Sequence, residues 1–260
     1  MLIRIATYNV NSINARKELL FMWLERSKVD VLCMQEIKTE GDKFPYLEFS
    51  GLGYKCYVHG QKTYNGVAIC SKLGLEEVFR GIADPKFDKE SRVIGSRLGD
   101  LWLINAYFPH GGLRGEQKFY YKLEFYQAFH QFLSKTFKPT DKIVLLGDMN
   151  VALEDVDVYD PELMKDTIGT MPEEREALKS ILDWGFVDSF RYLYPDKVQF
   201  TWWDYIGGAI WKNEGMRIDY ILITKPLLQN LKDVFVDMWA RKRRTPKPSD
   251  HAPVVGVLEL

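Results

Sequence analysis

Cysteine is scarce in this chain: Cys33, Cys56 and Cys70 are the only three in 260 residues. An odd count at uneven spacing argues against a disulfide framework and against a zinc site. Cys33, inside the run Val31-Leu32-Cys33-Met34, reads as a small buried hydrophobe. A reducing, cytoplasmic compartment is the expectation. Long apolar runs are missing as well. No stretch approaches the roughly 20 residues a membrane-spanning helix needs. Met1-Leu2-Ile3-Arg4-Ile5 turns polar too early for a signal peptide, so no membrane is expected as a partner. An excess of charge of either sign is also absent: 35 Lys and Arg against 36 Asp and Glu leave a net charge of -1. That excludes a basic coat over the whole surface but not a local basic face.

What is present is globular. Apolar residues are 46% and charged residues 27%, enough apolar surface to bury and too much for disorder. The length fits one large domain, 1–260, with no linker or tandem repeat, and a monomer is expected. Strand-like runs fall near 2–8, 30–35, 54–58, 65–71, 76–80, 92–98, 101–107, 143–146, 198–203, 217–223, 233–238 and 253–259. Helical periodicity covers 14–27, 117–136 and 173–184, the last with Pro172 at its start. Many short strands with three long helices predict an α+β body, layered α/β/β/α.

Several of these apolar strands end in residues capable of chemistry. Asn9 closes the first and Glu36 follows the second. Asn105 and Tyr107 end another, and Asp148 and Asn150 end the run Ile143-Val144-Leu145-Leu146. Asp219 interrupts Ile218-Asp219-Tyr220-Ile221-Leu222, where an unpaired buried carboxylate would be costly. Asp250-His251 precedes the last strand. Ligands in layered α/β proteins bind beyond strand ends. If these ends converge, they assemble hard oxygen ligands with no thiolate, which suits Mg²⁺, with Mn²⁺ as a substitute. A His beside a carboxylate can move a proton, and Asn and Tyr donors can hold phosphate oxygens. Together these are parts for metal-assisted phosphodiester hydrolysis. Taken singly, each has an ordinary reading: Asn9 as a cap, Gly147-Asp148-Met149-Asn150 as a turn, Ser249-Asp250-His251 as a polar loop.

The ordered set is far more specific than its members. It comprises Thr7-Tyr8-Asn9-Val10-Asn11, Gln35-Glu36-Ile37-Lys38, Asn105-Ala106-Tyr107-Phe108-Pro109, Gly147-Asp148-Met149-Asn150, Pro172-Glu173-Glu174-Arg175, Thr201-Trp202-Trp203-Asp204-Tyr205, Arg217-Ile218-Asp219-Tyr220 and Ser249-Asp250-His251-Ala252-Pro253. In these blocks the sequence resembles the exonuclease III family of apurinic/apyrimidinic endonucleases, within the endonuclease/exonuclease/phosphatase superfamily.

The resemblance implies a four-layered α/β/β/α sandwich of the DNase I-like kind. It implies a Mg²⁺-dependent nuclease that cuts 5′ to abasic sites in double-stranded DNA and trims 3′ ends. Under it, Glu36 is the main metal ligand with Asn9 nearby, and Asp250 a second, weaker ligand; Asp148, Asn150 and His251 share the metal site. Asp148 orients or deprotonates the attacking water, helped by Asn150. Asp219 fixes the tautomer of His251, which acts on the phosphate or as base. Tyr107 donates to the phosphate or assists the leaving oxygen. Trp202, Met216 and Ile218 line a pocket for an extrahelical sugar, and His110, Arg114 and Lys118 contact DNA. His110 stands where the family often carries Asn, and Met216 where an aromatic or Leu is commoner. Lys62 and Lys122 are further rim cations, and Arg241, Lys242, Arg243, Arg244 and Lys247 form a basic run beside Asp250. Two competing readings stand beside this one: a phosphoesterase of the same superfamily acting on a phospholipid or small phosphorylated substrate, and a non-catalytic DNA-binding module.

Overall fold

The computed structural model describes residues 1–260. Fourteen strands follow in chain order: β1 (Leu2–Asn9), β2 (Val31–Gln35), β3 (Lys55–His59), β4 (Val67–Ser71), β5 (Glu76–Arg80), β6 (Val93–Leu98), β7 (Leu101–Tyr107), β8 (Lys142–Asp148), β9 (Phe186–Asp188), β10 (Trp202–Trp203), β11 (Gly215–Met216), β12 (Asp219–Thr224), β13 (Leu231–Val236) and β14 (Val254–Glu259). They form two six-stranded sheets, ordered β13-β14-β1-β2-β4-β3 and β5-β6-β7-β8-β12-β9, plus the small hairpin β10-β11.

Each sheet contains one parallel pair, β1 with β2 and β7 with β8; every other pairing is antiparallel. A parallel pair needs a crossover. Helix Ile13–Ser27 supplies the first, and helix Gln117–Thr136 the second. Ser12 caps the first helix, its side chain accepting from the Ala15 amide.

The strands read as apolar on both faces because both faces are buried. Alternate residues such as Ile5, Cys33, Ile69, Leu103, Val144 and Ile221 meet between the sheets. Ala6, Tyr8, Leu32 and Met34 face Leu20, Trp23 and Leu24 of the first long helix. Ile104, Leu145 and Leu222 face Phe125, Phe129 and Leu178 on helices Gln117–Thr136 and Pro172–Gly185. The result is the four-layered α/β/β/α arrangement expected. Each such apolar side chain, fully buried, is worth about 1.5–3 kcal/mol before entropy is charged against it.

Three expectations need correction. Cys56 and Cys70 are direct partners across β3 and β4, 4.0 Å apart at Cα, and are joined in a disulfide; only Cys33 is free, and it is buried. Cysteine parity carries no information about a single cross-strand pair, whereas register does. The inference of a reducing compartment thereby loses its premise. The strand expected at 198–203 is confined to Trp202–Trp203. The strand expected from 217 begins at Asp219, because Arg217 is drawn into a buried ion pair with Asp157 and Asp188. No helix is long and apolar enough to cross a membrane.

Candidate active site

The parallel pairs run so that β1, β2, β7 and β8 finish at one edge of the sandwich. Register then decides which side chains meet. Asp219, the first residue of β12, is the direct partner of Asp148, the last of β8. Tyr107, at the end of β7, is the partner of Asp148 on the other side. Asn9 ends β1 beside Gln35, so that Glu36 begins just past the sheet. An isolated bridge joins Trp202 to His251.

The turns at this edge are conformationally demanding. Gly147 has φ 149°, and a Cβ there would sit 1.9 Å from the Ala106 carbonyl oxygen. No other residue fits without moving β7. Glu36 and Asn150 both have positive φ, 50° and 52°. Asn tolerates that region; Glu does so at a cost of order 1–3 kcal/mol. Strain of this kind concentrates where a side chain is aimed for a purpose.

Hydrogen bonds lock the carboxylates together. The Asn9 amide donates to Glu36 Oε2 at 2.5 Å and to Asp148 Oδ2 at 2.9 Å. The Asn150 backbone N–H donates to Asp148 Oδ1 at 3.0 Å, while its side-chain amide donates to the Phe108 carbonyl at 2.8 Å. His251 Nδ1 lies 2.8 Å from Asp219 Oδ2, and its Nε2 lies 3.6 Å from Asp148 Oδ2. Asp250 accepts from Asn11 at 3.2 Å and from the Trp202 indole N–H at 3.1 Å. Sequence reasoning had passed over three supports. Ser249 donates to the Asn9 carbonyl and accepts from the His251 N–H. Thr201 accepts from the Ile218 and Asp219 amides. Lys38 donates to Asn11 and stands 3.7 Å from Glu36. A hydroxyl residue beside a chemical motif was the only available signal for the first two.

Ligand atoms of Glu36, Asp148 and His251 all lie within 4.8 Å of one another. That spacing, with an all-oxygen-and-imidazole donor set, fits a divalent cation. Asp250 is not in that tight group; Asn11 and Trp202 already engage its oxygens.

The electrostatics follow from crowding acids in a dry place. Burial, then the Asp219 charge, raises the pKa of Asp148. Burial would lower His251, but Asp219 and Asp148 outweigh it and the imidazole is raised. Burial also pushes Tyr107 well above the ordinary phenol, helped by Glu36 and Asp148, so it remains a donor. Burial would raise Asp250 too, yet His251 and the bond from Trp202 hold it low.

These groups open into a cavity of about 560 Å³. Trp202, Met216 and Ile218 form its apolar wall together with Met164 and Ile168 from the 161–171 loop, while His110 and Leu113 stand at its rim. His110 is exposed as a residue yet lines the cleft; partial burial, then the Lys122 ammonium, lowers its pKa.

The expected rim cations divide. Lys62 and Lys118 are exposed without an ion-pair partner. Arg114 is exposed but engaged by Glu173 and Asp166. Lys122 is not a rim cation: it is wholly buried, paired with Glu174, and donates to the Asn150 and His110 carbonyls. Arg241 is also buried, donating to the Trp203 carbonyl at 3.0 Å.

Known proteins resemble this chain over nearly its whole length. Residues 6–251 match the model of the Endonuclease/Exonuclease/phosphatase family. The chain is 36% identical to exodeoxyribonuclease III of Haemophilus influenzae over 95% of its own length and 97% of that protein's. An AP endonuclease structure from Archaeoglobus fulgidus superposes with a TM-score of 0.95 and 39% identity, over 99% of this chain and 100% of that one. A 3′ phosphatase from Neisseria, NExo, bound to a product DNA hairpin, superposes with a TM-score of 0.93 and 36% identity, again over 99% and 100%.

Proposed function

The chain belongs to the endonuclease/exonuclease/phosphatase family and is a hydrolase of the exodeoxyribonuclease III and AP endonuclease type; on that premise we propose that it is a Mg²⁺-dependent DNA repair nuclease. It hydrolyses the phosphodiester 5′ to abasic sites in double-stranded DNA and trims 3′ ends. The observation that carries the reading is the meeting of Glu36, Asp148 and His251 at the mouth of an apolar pocket. That arrangement supports phosphodiester chemistry beside a pocket able to take a base-less sugar.

In this reading Glu36, with Asp148 and Asn150 beside it and Asn9 and Asp250 flanking, holds the cation. When bound, Mg²⁺ supplies positive charge to the phosphate oxygens. Asp148 is the base. It is fixed through both oxygens by Asn9 and Asn150 and, in its ionised form, takes the water proton. His251, held charged by Asp219, faces the phosphate as a cation and donor. Tyr107 stays protonated and donates to a phosphate oxygen or the departing oxygen. Trp202, Met216 and Ile218 accept the extruded sugar, which leaves the stack most cheaply where pairing is already lost. His110 and Lys118 contact the backbone beyond Tyr107; Arg114 acts through the 161–171 loop to which it is tied.

The test is cleavage of a duplex carrying one abasic-site analogue, with Mg²⁺ and with EDTA, beside an undamaged duplex with a recessed 3′ end. Mg²⁺-dependent incision 5′ to the lesion is expected. Digestion of the recessed end alone would reassign the protein to 3′-end processing. Activity on neither would overturn the DNA reading in favour of a phospholipid or small phosphorylated substrate.

A further inference from the structure

The hairpin β10-β11 has its base in the cleft and its tip outside it. Trp202 pairs with Met216 at the base, and both line the pocket. The connection between the strands carries the short helix Ala209–Lys212, on which Trp211 is 57% exposed. An indole left this open has not been recruited to the core.

One face of Trp211 is backed by the Arg244 guanidinium, 5.3 Å from the ring centroid. The same arrangement recurs along the neighbouring loop. Arg243 lies over Trp239 at 4.7 Å and Lys247 over Tyr205 at 4.4 Å. Tyr205 donates to the Pro248 carbonyl and accepts from Arg16, which also donates to the Lys247 carbonyl. Lys242, Arg243, Arg244 and Lys247 are all exposed, no acidic residue interrupts the run from Trp239 to Ser249, and no ion pair involves any of them. Like charges held this close repel one another, and a polyanion offsets that repulsion.

We propose that Trp211, backed by Arg244 and flanked by Arg243 and Lys247, is a stacking platform for an unpaired base of a DNA strand whose reacting phosphate lies in the cleft. The proposal rests on the nuclease reading and names a second contact for the same substrate. Aromatic faces beside unpaired cations are the means by which proteins hold single strands without reading sequence. The platform is also in reach. Trp211 and Met216 are only five positions apart, at most about 18 Å of extended chain. That is about five nucleotide steps at roughly 3.4 Å each. A frayed or overhanging strand would therefore span from the pocket to the indole.

The experiment is equilibrium binding in EDTA, by anisotropy, of labelled oligothymidylate and of an equally long, equally charged strand of base-less spacers. The wild-type protein is expected to bind the base-bearing strand about tenfold more tightly. Trp211→Ala should remove that preference, and Trp211→Phe should keep part of it. Arg243→Gln with Arg244→Gln should lower the salt slope for both strands by about 1.4, or ~0.7 per lost phosphate contact. Equal affinity of the wild-type protein for both strands would overturn the proposal. So would a preference that survives Trp211→Ala, or a salt slope unchanged by the arginine substitutions. Binding is measured without turnover, so absence of DNA cleavage in the separate assay would overturn the nuclease reading and leave this result standing.

Discussion

The imidazole of His251 bridges Asp219 and Asp148, with Nδ1 2.8 Å from one carboxylate and Nε2 3.6 Å from the other. The bridge is a consequence of register: the two aspartates are direct partners across β8 and β12, and like charges so close demand a cation or a proton between them. Asp219 does not line the cleft; it positions His251. Asp219→Asn should leave the fold and KM nearly unchanged while kcat on abasic duplex falls by the order of 10⁴-fold, as when the orienting acid of a catalytic His is neutralised. A kcat within tenfold of wild type would remove Asp219 from the machinery.

Stability of the metal-free protein should fall as pH rises. Asp148 is raised from 3.8 to about 8 by burial and then by Asp219. His251 is raised from 6.5 to about 10, the neighbouring carboxylates outweighing burial. In each window the native state binds more protons than the unfolded chain, so the contribution is present at low pH and lost on going upward. The melting temperature should therefore decline from about pH 6 to about pH 9, and Asp148→Asn should flatten the decline. A melting temperature that is flat or rising over that range would show that these groups do not hold protons in the native site.

Divalent metal should act in the opposite direction. Glu36, Asp148 and His251 converge only in the folded chain, so a cation that binds them stabilises by mass action. At 100 times the dissociation constant the gain is about 2.7 kcal/mol, or roughly 5–10 °C for a protein of this size. Differential scanning calorimetry with and without Mg²⁺ measures it. Glu36→Gln should abolish most of the shift; an equal shift in that variant would place the metal elsewhere.

Most of this site could be read from the chain because strands end where their polar residues begin. Asn9, Glu36, Tyr107, Asp148 and Asp219 each terminate or start an apolar run, and their strands share one edge. What stayed hidden depends on partners remote in sequence. Lys122 reads as a rim cation until Glu174, 52 residues on, is seen beside it in the core. Arg114 reads as a DNA contact until Glu173 and Asp166 are seen to hold it. Cys56 and Cys70 become a pair only through the register of β3 on β4. Trp211 carried no signal at all, since it falls in no expected strand or helix and only its exposure marks it out.

The buried Lys122–Glu174 pair couples the helix Gln117–Thr136 to both sides of the cleft. Lys122 also donates to the Asn150 carbonyl at 2.7 Å and the His110 carbonyl at 3.1 Å. Glu174 accepts from the Gly169 and Met171 amides at 2.8 and 3.1 Å. The pair thus fixes the Asn150 turn, the His110 segment and the end of the 161–171 loop relative to one another. Removing one partner strands a buried charge, so Lys122→Met or Glu174→Leu alone should cost about 3–5 kcal/mol. The double substitution leaves no unpaired charge and should recover much of that loss in chemical denaturation. It also deletes the donor to two carbonyls and the acceptor for two amides, so the cleft should loosen even where stability returns. KM for abasic duplex should then rise in the double variant while its melting temperature approaches wild type. Recovery of both stability and KM would show the pair to be only a packing solution; recovery of neither would mean that the backbone hydrogen bonds, not the charge pairing, dominate its contribution.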